Sequence, residues 1–209
     1  MDLAKNVFEI AVSHHPGQVS TYRRVSRAKL VEDADSELPD ALRPVLYELC
    51  VEIRQLEKRI RELERQLEAF AEHEPLVYRL RTIPGIGLLT ATALLAFVGD
   101  IVRFRSCRHF ASYLGLTPRE RSSGNTRRLG RISKRGDVYL RMLLTHGARA
   151  VLWAAKGQDH PGRLRAWALK LERQRGHNKA AIALANKLAR IVWAVWKREQ
   201  DYPPMSQAA

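Results

Sequence analysis

Residues 81–100, RTIPGIGLLTATALLAFVGD, are the stretch on which the fold class turns. Pro84, Gly85 and Gly87 interrupt one helical pattern, and Leu88 to Gly99 resumes another in which small and apolar residues are closely interleaved. Proline removes a helix-internal donor and glycine takes up turn conformations that other residues resist, so helix, glycine hairpin, helix is the simplest arrangement. Two readings of Gly85 and Gly87 stand side by side. Either the backbone approaches a phosphate there, with the free N–H groups opening the second helix favouring an anion, or the glycines make a tight turn between core helices. Leu88 to Val98 is also the longest apolar run, and it is too short to span a bilayer, so no membrane partner is expected.

Downstream the pattern stays helical. Asp137 is a fair N-cap for a helix over Val138 to Lys156, Gly157 to Gly162 reads as a loop, and helices at about 163–175 and 178–199 close an all-helical C-terminal half. Trp153, Trp167, Trp193 and Trp196 fall inside these helices, where aromatic residues are more often core than stacking platforms. The segment before them is the most informative in the chain. Between Arg119 and Arg135 stand Arg119, Arg121, Arg127, Arg128, Arg131, Lys134 and Arg135 against a single acid, Glu120, with Ser122, Ser123, Gly124 and Gly130 interleaved. Like charges at this density repel unless a polyanion neutralises them, which points to nucleic acid. Ser123, a hydroxyl flanked by glycine in an arginine-rich loop, is placed either to attack a phosphodiester or simply to hydrogen-bond a phosphate.

Upstream, Leu46, Leu49, Ile53, Leu56, Ile60, Leu63, Leu67 and Phe70 form an unbroken heptad seam. An oligomerising coiled coil over 46–72 is expected; an amphipathic helix docked on its own domain is the alternative. The acidic run Glu32-Asp33-Ala34-Asp35 with Pro39 and Pro44 reads as a linker over 31–45. Residues 3–13 and 19–26 are rich in β-branched side chains and separated by His14-His15-Pro16-Gly17, which predicts a hairpin of two strands.

The chain has 209 residues, 36 Lys plus Arg against 22 Asp plus Glu, and a net charge of +14. The asymmetry matters more than the total: residues 1–80 carry 12 basic and 15 acidic side chains, whereas 81–209 carry 24 and 7. The surface that binds polyanions therefore belongs to the C-terminal part. Two cysteines, Cys50 and Cys107, make neither a disulfide framework nor a zinc site of the usual kind, and the seven histidines lack ligand spacing. With no signal-peptide pattern at the N-terminus, the expected location is cytoplasmic, on the nucleoid.

The blocks RTIPGIG (81–87), TATALLAFVGD (90–100), FRSCRHFASYLGLTPRERSSGNTRRLGRISKRGDVYLRMLLTHGAR (104–149) and GHNKAAIALANKLARIVWAVW (176–196) occur in an order that resembles a known family. This is the C-terminal domain of the DEDD-type insertion-sequence transposases of the one-ten family, also described as bridge-RNA-guided recombinases. The heptad at 46–70 corresponds to that family's coiled coil. The resemblance implies a mainly α protein: a helical transposase domain over 78–200 with a helix-hairpin-helix-like start, the coiled coil before it, and a tail at 201–209. It further implies an N-terminal RuvC-like (RNase H-like) domain whose acids hold divalent metal, and a serine nucleophile that falls on Ser123, with Ser122 as the fallback. Asp2-Leu3-Ala4-Lys5-Asn6-Val7-Phe8 resembles the first RuvC strand, which makes Asp2 the metal-site aspartate and Mg²⁺ the expected cofactor. A domain of that kind needs on the order of 100 residues. Only residues 1–45 precede the seam, so residues 1–30 are expected to be its remnant.

The expected function is DNA transposition, with DNA and a guide RNA as partners and a homo-oligomer formed through 46–70. The alternative is a catalytically inactive, truncated nucleic-acid-binding protein that dimerises with or inhibits a full-length recombinase.

Overall fold

In the computed structural model, residues 7–12, 21–26, 40–124, 126, 128–158, 160 and 162–203 are described. The chain forms two units, Met1–Arg65 and Gln66–Ala209. In the first, strand β1 (Val7–Val12) pairs antiparallel with β2 (Thr21–Ser26), Val7 opposite Ser26 and Val12 opposite Thr21. The hairpin expected from the β-branched runs is therefore present, and the outer residues of both expected strands lie outside the described residues. So do Asp2 and the acids at 32–35. The expected linker over 31–45 needs correcting at its end. Asp40–Leu42 is a 3-10 turn and helix α1 (Arg43–Ala71) begins directly after it. Pro44 sits in the first turn of α1, where its missing N–H has no intrahelical acceptor to lose.

Strong helix formers fill α1, and its heptad residues are incompletely covered: Leu49, Leu56, Ile60, Leu63 and Phe70 are each about half exposed. Its last turn belongs to the second unit, where Ala71 enters the core and Glu68 pairs with Arg81 at 2.6 Å.

Among the described residues six further α-helices build the second unit: α2 (Pro75–Arg81), α3 (Leu88–Val98), α4 (Cys107–Tyr113), α5 (Val138–Ala155), α6 (Arg163–Arg175) and α7 (His177–Arg198). Helix α7 is central and touches α2, α4, α5 and α6. Its inward stripe, Ala180, Ala181, Leu184, Ala185, Leu188, Ala189, Val192 and Val195, is buried along its whole length. Alanines between the leucines let the neighbouring helices come close, and the large side chains fill what remains. Asp137 caps α5 as its position suggested, accepting the Leu140 N–H at 2.7 Å. Glu172 on α6 ties three helices together, meeting Lys156 at the end of α5 (3.0 Å) and His177 at the start of α7 (2.7 Å). These partners, His177 first, hold its carboxyl below the usual carboxylate value.

The turn at 82–87 shows why Gly85 is glycine. Its φ is +84°, and a Cβ there would stand 2.7 Å from the carbonyl oxygen of Gly147 in α5; a Cβ on Gly147 would stand 2.0 Å from the oxygen of Gly85. The two backbones touch, so Gly85 has a packing role, the second of its two readings. Gly87 is the N-cap of α3 and faces open space.

Two sequence expectations fail in this unit. The C-terminal half is not all-helical, because β3 (Pro118–Glu120) and β4 (Leu129–Ile132) form a second antiparallel hairpin. The tryptophans do not share one environment. Trp193 donates to the Phe104 carbonyl (3.2 Å) and packs on the core with Trp196, whereas Trp153 is 80% exposed and Trp167 36%. The segment expected as a tail at 201–209 is tied back at its start, where the Tyr202 N–H donates to Thr82 Oγ1 at 2.9 Å. Among the described residues, no helix is long and apolar enough to cross a membrane.

Candidate nucleic-acid interface

The basic segment becomes the β3–β4 hairpin, and its root is held by the helical core. The Ser133 N–H donates to the Thr117 carbonyl (2.8 Å) and the Lys134 N–H to that of Gly115 (3.1 Å), continuing the ladder inward from the strands. Gly136 then lies so close to the end of α4 that a Cβ would stand 1.9 Å from the Tyr113 carbonyl oxygen, at a φ of +146°. Arg141 on α5 clamps the same spot by donating to the Leu114 carbonyl at 3.2 Å. Farther out, the Arg121 N–H donates to the Arg128 carbonyl (2.9 Å), and the Thr126 N–H to that of Ser123 (3.2 Å) around the left-handed Gly124.

The two serines at the apex differ. Ser122 Oγ donates to Glu120 Oε1 (2.7 Å) and accepts the Arg128 N–H (3.1 Å), so its hydroxyl is part of the hairpin's own bonding. Ser123 is exposed, and its hydroxyl makes no hydrogen bond among the described residues. The acid that accompanies the cations, Glu120, is thus engaged inside the hairpin. Arg119, Arg121, Arg128, Arg131, Lys134 and Arg135 are all exposed, with Arg119 also reaching the Ser133 carbonyl at 3.2 Å. Arg127 lies outside the described residues.

Behind the hairpin the structure holds a groove of about 1280 Å³ that the sequence reading missed. One side is β4 with Arg131, and Lys134 just beyond it; the other is the outward face of α7, with Lys179, Lys187 and Arg190. Leu129, Ile132, Ile182 and Ile191 supply apolar lining between them. Trp167 of α6 also lines it, with Lys187 Nζ 4.1 Å from the centre of its ring. Burial, and then the charge of Arg190, hold the Lys187 ammonium below its usual value. The signal was available: positions 179, 182, 183, 186, 187, 190, 191 and 194 recur at helical spacing, a second face of α7 that alternates basic and apolar residues.

Asp2, the expected metal residue, lies outside the described residues. Among those described, no three His, Cys, Asp or Glu side chains group to hold a metal, so the expected Mg²⁺ has no fitting site there. Both cysteines are free thiols, Cys50 buried and Cys107 half-buried.

Residues 77–161, which include the arginine-rich hairpin, match the family described as Transposase IS116/IS110/IS902. The chain is 44% identical over 189 residues to a Pseudomonas aeruginosa protein described as "Probable family 20 transposase", a match covering 90% of this chain and 54% of that one. It is 42% identical over 165 residues to the "Transposase for insertion sequence element IS1111A" of Coxiella burnetii, covering 79% and 45%. The "Pilin gene-inverting protein" of Moraxella lacunata is 34% identical over 159 residues, covering 72% and 47%. On these matches the chain is similar to transposases of the IS116/IS110/IS902 family, and it spans about half the length of the curated relatives it matches.

Proposed function

We propose that this chain acts in the transposition or inversion of DNA segments, gripping DNA with the β3–β4 hairpin and attacking it with Ser123. The observation that carries this reading is the contrast between two adjacent hydroxyls. Ser122 is bonded into the hairpin, whereas the Ser123 hydroxyl has no hydrogen-bond partner among the described residues of an arginine-rich apex. In the step, Ser123 Oγ gives up its proton and bonds to a DNA phosphorus. The bond from that phosphorus to one bridging oxygen breaks, and the released deoxyribose oxygen takes a proton. The result is a phosphoserine link that conserves the phosphodiester for rejoining. Guanidinium groups around the apex stabilise charge on the non-bridging oxygens. Asp2, which lies outside the described residues, enters only by resemblance to the RuvC strand, as does Mg²⁺. The same resemblance supports a guide RNA as partner. The half-exposed heptad of α1 supports a homo-oligomer, since a second copy of the helix would cover those side chains.

The test is a denaturing gel of the protein incubated with element-end DNA, RNA transcribed from the element's noncoding flank, and Mg²⁺. A covalent protein–DNA adduct that persists in Ser122→Ala and vanishes in Ser123→Ala supports the reading. Tight, salt-sensitive binding with no adduct, beside a full-length relative that forms one, replaces it with the non-catalytic binding protein.

A further inference from the structure

We propose that the groove between β4 and α7 receives an unpaired nucleic-acid strand, with bases on its apolar lining beside Trp167 and phosphates on the flanking cations. The proposal deepens the DNA-handling reading and rests on it. Three observations favour this occupant.

The cations form a row. Lys179 and Arg190 stand eleven positions apart on α7, about 16 Å at 1.5 Å per residue, and Arg131 and Lys134 face them from the hairpin. A row suits a polymer of phosphates better than a single anion. Among the described residues, none of the five pairs with a carboxylate and no carboxylate lines the groove. The Lys187 ammonium is disfavoured by burial and by the charge of Arg190, and a phosphate beside the two would offset both.

The lining is apolar, and this separates single strands from duplex. A duplex keeps its bases stacked inside and offers mainly phosphate and sugar to a basic surface, leaving Leu129, Ile132, Ile182 and Ile191 without a complement. An unpaired strand supplies both chemistries at once: bases to cover apolar side chains and a backbone to meet the cations.

Trp167 is the third. The residue is 36% exposed, lines the groove and carries Lys187 Nζ 4.1 Å from its ring centre, placing an aromatic side chain and a cation where a base and its phosphate would lie together.

The experiment measures binding of the full chain to a mixed-sequence single-stranded DNA, the same sequence as RNA, and the corresponding DNA duplex, across a salt series. Trp167→Leu and the double variant Lys187→Gln/Arg190→Gln are compared with the parent, their folding checked by thermal melts. Lys179→Gln, at an exposed position, serves if either fails to fold. The expected result is a loss of about tenfold or more for single strands in Trp167→Leu. The double variant should also lose about 0.7 in salt slope for each phosphate contact removed, with duplex affinity within about twofold. A 4-thiothymidine strand should photo-crosslink to peptides containing Trp167 or residues 179–190. The DNA and RNA arms identify which strand is preferred, and either preference is consistent with the groove. Equal losses for duplex and single strand, no loss at all, crosslinks confined to 119–128, or competition by polyglutamate as strong as by single strands would each overturn the proposal. Normal duplex binding without single-strand binding sinks the groove alone, whereas binding to neither sinks the DNA-handling reading with it.

Discussion

Helices α1 and α7 are built on the same periodicity and end in opposite conditions. Both carry apolar residues at three- and four-residue spacing over several turns. The stripe of α7 is sealed, with Leu184 and Leu188 fully buried, while Leu56, Ile60 and Leu63 of α1 stay about half exposed. The difference lies in side-chain size as much as in neighbours. Alanine alternating with leucine allows α7 to be surrounded by four other helices, whereas the all-large seam of α1 suits a partner that inserts equally large residues between its own. A hydrophobic period thus specifies that a face will be covered, and residue size indicates by what.

The sharpest way to break this comparison is to make the same truncation on both helices. Leu188→Ala should cost about 2–5 kcal/mol in chemical denaturation, because the surrounding helices cannot collapse into the space. Leu56→Ala should cost under about 1.5 kcal/mol in dilute protein, where half of the side chain already meets solvent, and more as concentration rises. Equal, concentration-independent costs would show that α1 is covered by its own chain. Next in size is Gly147→Ala, whose new methyl group would press on the Gly85 carbonyl; a loss of about 1–3 kcal/mol is expected in a thermal melt, and a neutral result would mean that the α5 contact is loose. Ile60→Lys should leave the melting of Gln66–Ala209 nearly unchanged while reducing the mass measured by light scattering, and an unaltered mass would contradict pairing through α1.

The smallest effect concerns Glu172. Its carboxyl is held below the ordinary value in the folded state, so its stabilising contribution is present above the ordinary unfolded value and is lost as pH falls through the lower folded value. Glu172→Gln should therefore lower stability by under about 1 kcal/mol at pH 7, and the gap to the parent should close in acid. A gap that widens in acid would show that the pairs with His177 and Lys156 do not set this behaviour.

The helices were legible because their signals are local and redundant. Asp137 announced α5, the break at Gly157 to Gly162 separated α5 from α6, and the heptad marked α1. The β3–β4 hairpin was not legible. Its strands, PRE and LGRI, are short and almost wholly exposed, so they show none of the alternation that burial imposes on a strand. They are held instead by backbone bonds at Thr117, Ser133 and Gly115, which leave no mark on side-chain chemistry. The cations and serines of the site could be seen in sequence, but the distinction between Ser122 and Ser123 is made by one hydrogen-bond arrangement. The groove was missed because its two walls lie about fifty residues apart, and because a core stripe on α7 hid the basic and apolar face beside it.

Gly136 has a consequence for how this molecule can change over time. Because the root of the hairpin is locked by main-chain contact at Tyr113, Gly115 and Gly136, none of the described residues between Pro118 and Leu129 is buried in the core. The tip can gain, lose or exchange residues with little penalty to the scaffold, like an interchangeable tool head on a fixed handle. Variation at the exposed tip is thereby separated from variation in what holds the protein together, and a lineage can alter the hairpin without first acquiring spare stability.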